Sequence, residues 1–422
     1  MKPTAEGKRT SSSAGRWALP LGVLILFIDG YDLFVLGTAG PSLLEYKPWG
    51  ATPPTLGLLG SVTAVGMPIG AFVAGRASDT WGRRLPLMAT LTWISLGMVL
   101  AGLAPSLIVF GLARFLTGIG VGALTPLIVA YVADWARPHQ RTLHVGLALS
   151  GIAIGGVVVA FVGRAVLPAV HFQWLFLAGA IPLLLIPVCW KAVPAGIPNQ
   201  DIEVSDHVAA AREPVREVLG SGLRTATILF AVAGFFGLIL VYGASTWLPT
   251  LMVEAGYDLR SALEFTMAFN GGAILGTIAA ALIADRGHLK PTTIICFLCA
   301  AVAMLVLSSE QARWVILTMS AVAGLGTLGT QNLINAYIAH FYPARLRGTA
   351  LGVSLGLGRV GSIVGPSYVT LVITLFAVPA AGFYGFVLPA VLGAIAIAML
   401  PATRRPIASG PLHAARTSEG AR

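Results

Sequence analysis

Charge is what this 422-residue sequence has least of: 10% of its residues are Asp, Glu, Lys or Arg, against 56% hydrophobic. A water-soluble domain of that length needs a mostly polar surface, so the composition excludes one and makes lipid the bulk solvent. Acids are fewer than bases, 17 against 27, but the net charge of +10 marks a nucleic-acid partner only where the bases gather on one surface. Here they follow membrane topology, as set out below, and no nucleic-acid partner is expected. Cysteine is nearly absent: Cys189, Cys296 and Cys299 fall in or beside apolar runs, where thiols pack as small hydrophobes, and the C-x-x-C spacing does not alter that reading. Histidines 139, 144, 171, 207, 288, 340 and 413 are scattered. That pattern offers neither a metal cluster nor a nucleophile with its base, so no enzyme, metal or cofactor is expected. Short alternating strands are missing as well, which removes a membrane barrel.

What the sequence has instead is twelve apolar runs long enough to cross a hydrocarbon layer as helices. They cover 17–40, 56–76, 85–104, 107–133, 143–164 and 172–192, then 225–247, 264–284, 292–308, 313–338, 349–373 and 383–400, and are called spans 1 to 12 below. The fold class is all-α integral membrane. The expected organisation is a tail at 1–16, a six-helix bundle at 17–192, a polar linker at 193–224, a second bundle at 225–400 and a tail at 401–422. With the amino terminus placed in the cytoplasm, inner segments hold 21 Lys and Arg and outer ones only Lys47, Arg164, Arg260 and Arg313. The positive-inside rule then puts both termini in the cytoplasm, in the inner or plasma membrane of a cell. Span 1 is long, carries two acids and lacks a cleavage site, so it is expected to stay as a helix.

A shift of 206 residues superposes one half of the sequence on the other. It carries Asp79 onto Asp285, Gly118 and Gly120 onto Gly324 and Gly326, Tyr131 onto Tyr337, Arg141 onto Arg347 and Gly155 onto Gly361. The chain therefore reads as two homologous bundles related by a pseudo-two-fold axis. Residues shared by both halves are scaffold, and polar residues confined to one half need another reason.

Four ionisable residues lie well inside spans, away from their ends, where each costs at least about 2.5 kcal/mol and marks function by default. Asp29 and Asp32 sit about 12 and 15 residues into span 1, about 18 to 22 Å along it and near the middle of the membrane. Their counterparts are Phe235 and Leu238, so symmetry did not place them. Two carboxylates this close do not both ionise cheaply in a low dielectric, and one is expected to bind and release H+ as its exposure changes. Protons are thus the expected coupling ion. Arg114 in span 4, with the neutral counterpart Ser320, has no partner in its own helix and is expected to hold one of these acids. Arg359 in span 11 has Ala153 as counterpart and no acid at its depth in the second half, so its partner is expected from outside: a guanidinium suits a carboxylate. Gln331, Asn332 and Asn335 in span 10 either hydrogen-bond a substrate or tie helices together. Tyr31 offers a ring for stacking on a substrate, with interfacial placement as the other account.

Between spans 2 and 3 the sequence reads Gly75-Arg76-Ala77-Ser78-Asp79-Thr80-Trp81-Gly82-Arg83-Arg84, a turn built as a latch. The second copy keeps Asp285 and Arg286 but has Ala281 and His288 in place of the glycines, and Arg347 belongs to the same gating set. At these residues the sequence resembles the major facilitator superfamily, whose loop signature G-x-x-x-D-x-x-G-[RK]-[RK] matches Gly75, Asp79, Gly82, Arg83 and Arg84. Its helix 4 signature matches Arg114, Gly118 and Gly122. Asp29-Gly30-Tyr31-Asp32 is similar to the D-G-[YF]-D motif of its aromatic acid:H+ symporters, as is the region from Tyr342 to Gly361.

The resemblance covers about residues 17 to 400 and implies proton-driven uptake of a benzoate-like or hydroxybenzoate-like anion by alternating access; the expected partners are that anion and the lipid bilayer, with the chain as a monomer. It makes Asp29 and Asp32 the coupling and binding acids, Arg359 the anion anchor and Asp79 the gate. Asp134 stands where such transporters often show Glu. Uptake of another organic anion, shikimate-like or nicotinate-like, is the neighbouring alternative. A drug:H+ antiporter is the more distant one, because the helix 5 signature G-x-x-x-G-P-x-x-G-G lacks its proline at Gly151 to Gly156.

Overall fold

The computed structural model describes residues 5–136, 141–167, 169–193, 212–220, 222–284, 288–343, 346–376, 378 and 380–401; side chains are described from Trp17 on, except at Asp79, 141–143, 212–214, 280, 281 and 284. Among the described residues every regular element is helical. Spans 1 to 5 are the single helices Ala5–Glu45, Pro53–Trp81, Arg84–Gly102, Leu107–Trp135 and Arg141–Val166. Span 6 is assembled from Gln173–Ala178, the 3-10 stretch Ile181–Leu185 and Ile186–Ala192. A short linker helix, Arg212–Val218, precedes spans 7, 8 and 9 at Arg224–Glu254, Leu259–Ala284 and Leu289–Leu307. Span 10 comprises Arg313–Gly324, a π-helical stretch Leu325–Gly329 and Thr330–Phe341. Span 11 is Arg347–Gly358 and Val360–Phe376 joined at Arg359, and span 12 is Ala381–Ala398.

Eleven of these are by length and composition sufficient to cross a membrane on their own. The twelfth is span 10, whose α segments of 12 residues each are too short alone but form one rod through the π stretch. Several ends differ from the apolar runs for local reasons. Span 2 starts at Pro53, where a missing N–H costs nothing, behind a Thr52–Thr55 capping box. Span 8 starts at Leu259 because Asp258 accepts from the Ser261 N–H at 3.2 Å and the Ser261 hydroxyl at 2.6 Å.

The packing repeats as the sequence does. Span 1 lies on span 5 and span 2 on span 4; six spans further on, span 7 lies on span 11 and span 8 on span 10. Close approach depends on glycine: a Cβ on Gly30 would stand 1.9 Å from the Ile152 carbonyl oxygen in span 5. Gly30→Ala is therefore expected to push spans 1 and 5 apart at a cost of about 1–3 kcal/mol. Thermal unfolding in detergent checks this, and an unchanged midpoint would mean that the contact is slack.

The two halves meet through spans 1 and 7, 2 and 11, and 5 and 8. They meet unevenly. At the face away from the chain termini, Ser61 and Ser367 share a hydrogen bond of 2.7 Å and Gly57 abuts Thr370. At the face carrying the termini, Gly75 of span 2 and Gly348, Gly352 and Gly356 of span 11 have nothing among the described residues within 4 Å of where a Cβ would stand. Among the described residues the space between the halves is thus closed at the far face and parted at the terminal face.

Candidate functional site

The cavity between the halves has a volume of about 180 Å³ and is lined by both of them. From the first half come Asp29, Met67, Thr125, Leu149 and Ile152; from the second come Tyr242, Gln331, Asn332, Asn335, Leu355 and Arg359. Its polarity is unequal: the first half supplies the acid and the second the base. Asp29 is buried and accepts from the Thr125 hydroxyl at 2.8 Å, with no cation paired to it among the described residues. Arg359 occupies the joint between the two segments of span 11, its carbonyl accepting from the Ser362 N–H at 3.0 Å and the Ser362 hydroxyl at 2.6 Å. Its guanidinium has no ion-pair or hydrogen-bond partner among the described residues. A cation facing a cavity without a partner there is a receptor for an anion.

Asp32 is arranged differently. Arg114 is 1% exposed and grips it twice, Nη1 to Oδ1 at 2.5 Å and Nη2 to Oδ2 at 3.3 Å, while Nη2 also donates to the Asp32 carbonyl at 3.3 Å. The two acids read as a pair in the sequence are therefore two separate devices, one locked by a guanidinium and one facing the cavity.

Tyr31 departs from expectation. It is not at the central cavity: its hydroxyl donates to the Leu175 carbonyl at 2.8 Å, and its ring lines a separate apolar cavity of about 320 Å³ with Met98 and Pro182. Two positions along a helix turn a side chain by about 200°, which carries Tyr31 to the side away from Asp29.

Gln331, Asn332 and Asn335 do line the central cavity. Asn332 is also a tie between helices, donating to Thr277 Oγ1 of span 8 at 3.0 Å, so both readings of this cluster describe something present. Gln331 donates to Asn335 Oδ1 at 3.5 Å, and its own Oε1 is buried without a hydrogen-bond partner among the described residues.

Thr125 and Met67 did not stand out in the sequence; the Tyr242 hydroxyl of span 7 meets Met67 Sδ of span 2 at 3.3 Å across the seam. A signal for Thr125 existed. The 206-residue shift pairs it with Gln331, and both line the cavity, as do the paired Leu149 and Leu355. The repeat marks a shared position in space even where the residue types differ.

The latch residues whose side chains are described stay within their own halves. Arg83 donates to Asp134 Oδ2 at 3.2 Å and to the Ser78 hydroxyl, so Asp134 fills the place where such transporters often carry Glu. Arg84 lies 4.0 Å over the Trp190 ring and Arg347 donates to the Tyr342 carbonyl at 3.2 Å. Gly82 ends span 2 at φ 71, a conformation that favours glycine. Gly75 stands open, in keeping with the parted terminal face. The side chain of Asp79, and Asp285 and Arg286, lie outside the described residues. Among the described residues no cluster of three or more His, Cys, Asp or Glu is placed to hold a metal ion.

Two six-helix halves, with an acid from one and a base from the other lining the cavity between them, are the architecture of a membrane transporter. Residues 22–366 and, overlapping them, 265–418 match the sequence profile of the Major Facilitator Superfamily, and the chain belongs to that family. It is 35% identical to the gentisate transporter of Corynebacterium glutamicum, over 91% of this chain and 87% of that one. It is 32% identical to the benzoate transport protein of Acinetobacter baylyi, over 90% and 88% of the two chains. The fold is shared with the D-xylose-proton symporter, at a TM-score of 0.73 and 19% identity, covering 91% of this chain and 97% of that one.

Proposed function

We propose that the protein takes up a small aromatic carboxylate together with protons across the inner or plasma membrane. The observation that carries this reading is Arg359, a guanidinium without an ion-pair partner among the described residues, in a cavity of about 180 Å³ whose walls combine apolar side chains such as Leu33, Val121, Ile152 and Leu238 with a few polar ones. An apolar cavity of about 150 Å³ accommodates benzene, so the space suits one ring with its carboxylate on Arg359. Gentisate and benzoate, named in two relatives, are both of that kind. Gln331 and Asn335 are then the groups for ring hydroxyls. Asp29 is the proton carrier, because it faces the cavity and has no ion-pair partner among the described residues, whereas Asp32 is held by Arg114. No cofactor takes part; the proton gradient is the driving force, and one chain is the working unit.

In this reading the terminal face is cytoplasmic, on the strength of 21 inner against 4 outer Lys and Arg. The structure then represents a state open to the cytoplasm. Substrate and proton leave Arg359 and Asp29 on this side, the emptied halves rock, and the latch turns engage across the parted face.

The test is uptake into proteoliposomes of benzoate, hydroxybenzoates, gentisate, nicotinate, shikimate and a sugar, with and without an imposed pH gradient. Gradient-driven accumulation of the benzoates is expected, and uptake of the sugar alone would end the proposal. Asp29→Asn is expected to abolish accumulation while leaving exchange of labelled for unlabelled benzoate across the membrane. Full gradient-driven accumulation by this variant would remove Asp29 from coupling.

A further inference from the structure

The far face carries few cations, as the positive-inside rule demands, yet three of its four converge on one seam. Arg164 ends span 5 in the first half; Arg260 and Arg313 begin spans 8 and 10 in the second. Between them stands Glu264 of span 8. Its Oε2 lies 2.5 Å from Arg313 and 3.8 Å from Arg164, and the latter is the one ion pair joining the two halves among the described residues. Asp258, the other nearby acid, is turned to the start of its own helix through Ser261. Arg260 has no ion-pair or side-chain hydrogen-bond partner among the described residues. It shares with Arg164 a cavity of about 190 Å³ whose remaining lining is Phe161 and Ala165, and Phe161 is 56% exposed.

Exposed ion pairs hold structures together only weakly, so stability alone does not account for gathering scarce outer cations here. The combination of two guanidinium groups, one from each half, with an exposed aromatic ring matches a carboxylate attached to a ring. We infer that Arg260, Arg164 and Phe161 form a peripheral docking site on the outer face that concentrates aromatic carboxylates before they enter the central cavity. Glu264 is its gatekeeper. In the inward-open state it occupies Arg164, and when the halves part at this face the Arg164–Glu264 contact breaks and both arginines face the incoming anion. This inference rests on the proposed uptake function and deepens it, adding a second site on the same route.

Arg260→Gln is the discriminating variant, because it removes a charge that has no ion-pair partner among the described residues. The probe is benzoate, and uptake is measured in proteoliposomes of neutral lipid across a range of ionic strength. The expected result is an apparent KM raised about threefold or more at low salt with Vmax unchanged, and a flattened salt dependence, since steering by a single charge is screened by salt. Efflux from the cytoplasmic side should keep its KM. Phe161→Ala should raise the uptake KM without altering its salt dependence. An unmoved KM and salt dependence for Arg260→Gln would overturn the inference while leaving the proposed function intact. An effect seen only in vesicles containing anionic lipid would overturn it too, by making the site a headgroup site. Wild-type protein that moves no aromatic carboxylate would overturn both.

Discussion

Arg359→Gln is expected to lower the efficiency of aromatic carboxylate uptake, Vmax/KM, by about a hundredfold, equivalent to about 2.7 kcal/mol. The magnitude follows from what the side chain does. A desolvated carboxylate in a cavity of this kind depends on charge-assisted hydrogen bonds of about 1.5–3 kcal/mol each, and glutamine supplies neither the charge nor the fork. Arg359→Lys restores the charge without the planar pair of donors and is expected to recover part of the loss, leaving a deficit of about tenfold. Because the guanidinium has no partner among the described residues, neither change should move the unfolding midpoint, and this separates lost binding from lost structure. Uptake kinetics together with thermal unfolding of the same preparations make the measurement. Undiminished uptake by the glutamine variant would show that the anion is held elsewhere.

Arg114→Gln should do the opposite, damaging structure first. It leaves the Asp32 carboxylate, 1% exposed, without its bidentate partner, and stranding one member of a buried pair costs about 3–5 kcal/mol. Removing both charges, with Arg114→Gln and Asp32→Asn together, should be milder than the single Arg114 change. A double-mutant cycle on unfolding in detergent reads this coupling directly. Strict additivity of the two single changes would mean that the pair is not coupled, whatever its geometry. The sequence alone linked Arg114 to proton coupling through either acid. The structure directs it to Asp32 and leaves the cavity-facing role to Asp29.

That division shows how far residue order can be read and where it stops. Asp29, Asp32, Arg114 and Arg359 stood out because their counterparts in the other half are Phe235, Leu238, Ser320 and Ala153, and a charge in lipid without a symmetric twin demands a purpose. The spans were legible for an equally simple reason, the length of apolar chain that a bilayer requires. Direction around a helix was less legible. Asp32 lies about 60° from Asp29 and Tyr31 about 200° from it, so three neighbours in one motif face the Arg114 site, the cavity and span 6 respectively. The interruptions of spans 6 and 10 were not legible either. Pro182 and Pro187 make the first intelligible once seen, but Gly326, Thr327 and Gly329 would sit as readily in an ordinary helix.

The widened turn at Leu325–Gly329 has a consequence for how the tenth span was built. A π turn accommodates one residue more than an α turn, so everything after it is rotated by about 100° relative to a regular rod. The amide-bearing trio lies directly beyond it, so its direction depends on that turn keeping its width. Deleting a single position there would leave their identities intact and swing them off the permeation route.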